Sequence, residues 1–60
     1  MTDEDRINWL EQHHTLHFTV EVLYVVIGYQ AQLLYDDEPI TVASGETYRE
    51  ALDALIAKCD

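Results

Sequence analysis

The stretch FTVEVLYVVIGYQAQLLY, residues 18–35, decides the architecture of this chain. Phe18, Thr19, Val20, Glu21 and Val22 alternate apolar and polar, the period of a half-buried strand. From Leu23 to Ile27 every residue is apolar, which a strand with one wet face does not need. Gly28 is the only punctuation, and glycine at the first central position suits a type II′ hairpin turn. With Gly28 and Tyr29 as the loop, Ile27 faces Gln30, Val26 faces Ala31, Tyr24 faces Leu33 and Val22 faces Tyr35. Cross-strand partners share a face. One face then carries Phe18, Val20, Val22, Tyr24, Val26, Ala31, Leu33 and Tyr35 and is apolar throughout. The other carries Thr19, Glu21, Gln30, Gln32 and Asp36 around an apolar centre of Leu23, Val25, Ile27 and Leu34.

Outward from the hairpin, DDEP (residues 36–39) reads as a four-residue turn, with Pro39 tolerated at the start of a strand. ITVA is a short third strand, in which Ile40 opposite Tyr35 and Val42 opposite Leu33 join the core face. Ser44 and Gly45 break the strand. TYRE then forms a capping box, Thr47 as N-cap and Glu50 reaching back. Tyr48, Ala51, Leu52, Leu55 and Ile56 follow at the spacing of an amphipathic helix, while Arg49, Glu50, Asp53 and Lys58 face water. At the other end Thr2 caps a helix whose first turn, Asp3, Glu4 and Asp5, complements the helix dipole. Trp9, Ile7 and Leu10 dock it. The order is α-β-β-β-α in a single α+β domain over residues 1–60. Its three-stranded antiparallel sheet is packed with two helices on the core face.

Sixty residues bury a small core; domains of this size hide only about 60% of their unfolded surface. The lone Cys59 excludes an internal disulfide and supplies no cysteine zinc site. Self-association is the expected additional stabiliser. Twelve acidic against three basic residues give a formal charge of −9, which opposes direct contact with nucleic acid or anionic lipid. The acidic start MTDEDRINW is unlike a signal peptide, no apolar run reaches membrane-span length, and a single thiol suits a reducing compartment. A cytoplasmic location is expected.

Chemistry is sparse. His13 and His17 would share a face of a continuous helix, with Glu11 or Glu21 nearby, but residues 15–18 read as a helix-to-strand junction that spoils the spacing. No metal site is expected. Asp36, Asp37 and Glu38 sit on a hairpin tip, where water keeps carboxylates ordinary, whereas catalysis needs perturbed ones. Cys59 is penultimate and expected to fray, and no glycine-rich phosphate loop exists. No catalytic residues, no cofactor and no enzymatic activity are expected.

What remains is surface. Leu23, Val25, Ile27 and Leu34 form an apolar patch outside the core, assigned to a homodimer interface. The alternatives are that the first helix covers it through Trp9, or that a different protein does. The spaced carboxylates are expected to imitate a phosphate track. Asp36, Asp37, Glu38, Glu50 and Asp53 are the candidate contacts to a partner protein or nucleoprotein complex with a basic surface.

Two resemblances bear on function. The segment GYQAQLLYDDEPITVASGETYREALDALIA resembles antitoxins of the HicB type through Gly45, Glu46, Thr47, Glu50, Ala51 and Leu52. It lacks that family's Pro-Gly-Cys-like segment and any DNA-binding extension. The whole chain is similar to short acidic proteins of phages and prophages. Met1, Thr2, Asp3, Glu4, Arg6, Trp9, Leu10 and Glu11 match their opening, and the TYREALDA helix matches their end. That resemblance implies a phage-encoded inhibitor of a host defence complex, of the anti-CRISPR or another anti-defence kind, acting in the host cytoplasm by stoichiometric binding. An antitoxin-like module that masks a toxin, or a virion or assembly accessory protein, is the alternative.

Overall fold

The computed structural model describes residues 1–59. The chain runs α1 (Asp3–Gln12), β1 (Phe18–Val25), β2 (Gly28–Tyr35), β3 (Glu38–Gly45) and α2 (Tyr48–Cys59). The strands form one antiparallel sheet in the order β1-β2-β3. α2 lies across β3 and β2, and α1 reaches the same core through Trp9. The α+β architecture read from the sequence is the one observed.

Both hairpins are tighter or placed differently than their composition implied. The first turns at Val26 and Ile27, with Val25 opposite Gly28, so Val22 faces Ala31 rather than Tyr35. Gly28 is needed for a close approach instead. Its φ is +149°, and a Cβ there would lie 2.5 Å from the Gly45 carbonyl oxygen. This slide is even, so it leaves the faces unchanged. Phe18, Val20, Val22, Ala31 and Leu33 still look toward the helices, Tyr29 joins them, and Val26 leaves for the turn, 97% exposed.

The second hairpin has a two-residue loop, not a four-residue one. Asp36 and Asp37 have φ of 50° and 68°, the pair of positive values a type I′ turn requires and short polar side chains tolerate. Beyond a register shift between Leu34 and Leu33, Leu33 faces Thr41 and Ala31 faces Ala43. The shorter loop alone is an even slide of two. The β-bulge, with Ile40 the extra residue between Thr41 and Pro39, offsets one of them and makes the net shift odd, so the third strand turns over and Val42 pairs with Gln32. Ile40 and Val42 are exposed, not core. Thr41 and Ala43 take the inner face.

That inversion has a packing consequence. Ala31, Ala43 and Ala51 are all buried between sheet and α2, and small residues let the helix settle close. Leu33 and Leu55 fill the remaining volume. On α2, Ala51, Leu52, Leu55 and Ile56 are buried, as their spacing predicts. The Glu50 amide donates to Thr47 Oγ1 at 3.1 Å. Glu50 reaches back one residue further than a standard capping box, accepting from the Glu46 amide at 3.2 Å.

α1 docks through Trp9 as its sequence reads, but Ile7 stays exposed and a polar anchor is added. Its capping box is complete: the Asp5 amide donates to Thr2 Oγ1 and the Thr2 amide to Asp5 Oδ2. Yet no residue of α1 is fully buried; Ile7 is exposed, while Trp9 and Leu10 are half-buried. The anchor is Arg6, whose Nε and Nη2 donate to the two oxygens of Asp53 at 2.8 Å each. Such a bidentate pair fixes orientation as well as proximity.

The hydrogen bonds from Arg6 hold the Asp53 carboxyl below its ordinary 3.8, against the opposing effect of desolvation. Asp3 is lowered by Arg49 in the same way, and Asp5 by the Thr2 backbone amide. Because these folded-state values are depressed, their contribution is complete above the ordinary aspartate value and lost as pH falls through the lower folded one. Acidification below 3.8 is expected to loosen α1 from α2, read as faster amide exchange in residues 3–12. Asp53→Asn is expected to show that loosening at neutral pH and a weaker acid-dependent change, leaving only what Asp3 and Asp5 contribute.

Candidate functional site

All three basic side chains make intramolecular contacts, Arg6 largely buried and Arg49 and Lys58 at the exposed surface. Arg6 holds Asp53 and Asp3. Arg49 donates from Nε and Nη2 to Asp3 at 2.9 and 3.1 Å. Lys58 Nζ donates to the Val42 carbonyl at 2.7 Å. Arg49 and Lys58 face water as their sequence reading has it, while Asp53 is half-buried, and each of the three also ties two elements together. The surface left to solvent is dominated by carboxylates.

The five candidate acidic contacts do not form one patch. Asp36 and Asp37 make the β2–β3 turn and Glu38 opens β3. Glu50 lies in the first turn of α2, beside Gly45 at the other end of β3. Seven residues of extended chain separate those ends, roughly 23 Å. Asp53 is committed to Arg6. The compact group is therefore Asp36, Asp37 and Glu38.

That tip is braced. The Asp36 amide donates to the His17 carbonyl at 2.9 Å, and His17 Nδ1 lies 2.9 Å from Asp36 Oδ1. Beneath it Tyr35 packs against Phe18, ring centroids 4.9 Å apart, and against His17 at 5.8 Å. The arrangement presents three adjacent carboxylates on a loop held by backbone geometry and aromatic packing.

The apolar candidates are divided as well. Leu23 and Val25 lie on the sheet face away from the helices, and Ile27 is in the exposed turn. Leu34 is only 7% exposed, tucked at the bulge between Thr19 and Pro39, and drops out of the exposed patch. Gln30 and Gln32 run down the middle of that face, Gln32 donating to Glu21 at 3.1 Å. Val42, missed by the sequence reading, flanks the polar row from β3. An open depression lined by Val25, Ile27, Gln30, Val42 and Ser44 runs along this end of the sheet.

The histidines diverge. His13 stacks on Trp9 at 4.0 Å with Nδ1 2.8 Å from the Trp9 carbonyl, whereas His17 serves the hairpin tip. Among the described residues no group of three or more His, Cys, Asp or Glu side chains is placed to hold a metal. Cys59, expected to be exposed, is the last residue of α2 and half-buried against the core. No helix among the described residues is long and apolar enough to cross a membrane. Compared with known protein families, curated proteins and solved structures, the chain matches none.

Proposed function

We propose that this chain is a non-enzymatic binding domain that occupies a basic surface of another protein or nucleoprotein complex with the Asp36–Asp37–Glu38 tip. The reading fits the stoichiometric anti-defence inhibition that the resemblance to phage proteins implies. One observation carries it: every Lys and Arg is engaged in an intramolecular contact away from the tip, so no Lys or Arg offsets the tip carboxylates, and Asp36 is held by the His17 imidazole. A rigid anionic loop on a molecule of net charge −9 steers toward positive potential and avoids nucleic acid itself. The antitoxin alternative draws on the Gly45–Thr47–Glu50 motif, which here serves the β3–α2 junction and the helix cap. Folding alone accounts for it.

The test neutralises the tip without disturbing the turn. Asn tolerates positive φ, so Asp36→Asn, Asp37→Asn and Glu38→Gln keep the hairpin and remove three charges. A partner captured from host lysate by the unaltered chain is expected to bind the triple variant at least about tenfold more weakly, equivalent to about 1.4 kcal/mol, and with a flatter salt dependence. Equal affinity and equal salt dependence would exclude the tip as the contact.

A further inference from the structure

The two edges of the sheet are not equivalent. β3 is closed to further pairing in three ways: Pro39 has no amide hydrogen, Ile40 bulges out of the ladder, and Lys58 occupies the outward Val42 carbonyl. β1 carries none of these devices. Its direction of hydrogen bonding follows from its ends. The Asp36 amide donates to His17, so odd-numbered residues of this segment face β2. Phe18 faces the other way: its carbonyl accepts from the Thr15 amide at 3.0 Å and its amide donates to Thr15 Oγ1 at 3.2 Å. Val20, Val22 and Tyr24 share that outward phase, and among the described residues nothing pairs with their amides and carbonyls.

We infer that the β1 edge is an interaction surface for a second copy of this chain, pairing β1 with β1 antiparallel about a twofold axis at Val22. In that register Val22 meets Val22 of the second copy, and Val20 meets Tyr24 in both directions, each pair exchanging two hydrogen bonds. It is the register that uses all three open residues. Glu21, the one charge on β1, falls opposite Leu23 rather than its own counterpart, so no like charges are paired. Tyr24, 76% exposed in the single chain, gains Val20 as a neighbour on the helix-covered face. The resulting six-stranded sheet ends in two closed β3 edges, so the assembly stops at a dimer. This contact is independent of the anionic tip, which lies at the far end of β2 and β3.

Sedimentation and residue-resolved hydrogen exchange on the full chain test it. The expected result is a dimer whose Val20, Val22 and Tyr24 amides exchange as slowly as those of Glu21 and Leu23. Self-association should tighten with added salt, because salt screens repulsion between two copies of charge −9; the contact with a basic partner responds in the opposite sense. Val22→Pro removes an outward amide hydrogen and none that pairs with β2, although it also replaces a side chain packed on the core, and should shift the mass to monomer. An N-methyl group on the Val22 amide, introduced by chemical synthesis, should do the same while keeping the side chain. A monomer through millimolar concentration overturns the inference. So does a dimer whose Val20, Val22 and Tyr24 amides exchange freely, or one that survives N-methylation.

Discussion

Leu55→Ala is expected to unfold a large fraction of the chain at room temperature. Leu55 is the largest completely buried side chain, at the meeting point of Ala31, Leu33, Ala43 and Ala51. Three of those neighbours are alanines, with no long side chain to swing into the vacated space. A Leu-to-Ala change in a core that cannot collapse costs about 2–5 kcal/mol. Cores of this size supply only about 3–5 kcal/mol in total, so the loss is of the same order as the whole stability. Thermal unfolding followed by circular dichroism at low protein concentration checks this, since pairing of two copies adds stability by mass action. At about 4–8 °C per kcal/mol for a domain this small, the midpoint should fall by about 8 °C or more. A midpoint within about 4 °C of the unaltered chain would show that the core is not organised around Leu55.

Gly45→Ala is expected to come next in severity, although it adds a single methyl group. A Cβ at Gly45 would sit 2.5 Å from the Ala51 amide nitrogen and 2.7 Å from the Glu50 carbonyl carbon. Both are backbone atoms of α2, so no rotamer change relieves the clash. The helix must lift from β3, opening the alanine-lined contact beneath it. Overpacking of this kind costs about 1–3 kcal/mol. Ser44→Ala, on the exposed side of the same strand, is the matched control and is expected to stay within about 0.5 kcal/mol. Urea denaturation of the two variants side by side decides it: equal midpoints would mean that α2 does not lie against Gly45.

The parts of the fold legible in the sequence are those set by local periodicity. The stripe Ala51, Leu52, Leu55 and Ile56 and the caps at Thr2 and Thr47 needed only neighbours within a few residues. The faces of β1 and β2 survived a misplaced turn because the slide was even. The face of β3 did not: a two-residue loop in place of a four-residue one is itself an even slide, but the β-bulge at Ile40, which no local pattern marks, makes the net shift odd and sends Ile40 and Val42 outward. In the candidate site, the acidity of the 36–38 tip was legible from the residues alone. The fates of Asp53, Arg49 and Lys58 were not. Asp53 meets Arg6 forty-seven positions away in the chain, and nothing in either local pattern marks that pairing.

The sequence by itself determined the element order, the helical stripes, the anionic character and the self-consistent apolar face of the first hairpin. These depend on side-chain type and spacing along a few turns or strands. Tertiary structure alone decided which face of β3 is buried, which carboxylates remain free, and which sheet edge stays open. Each of those is settled by contacts that no local pattern marks: the β-bulge of Ile40 opposite Leu33 and Leu34, Arg6 on Asp53, Lys58 on the Val42 carbonyl. The greasy run through Leu23–Ile27 thus ends in a turn and an unpaired edge.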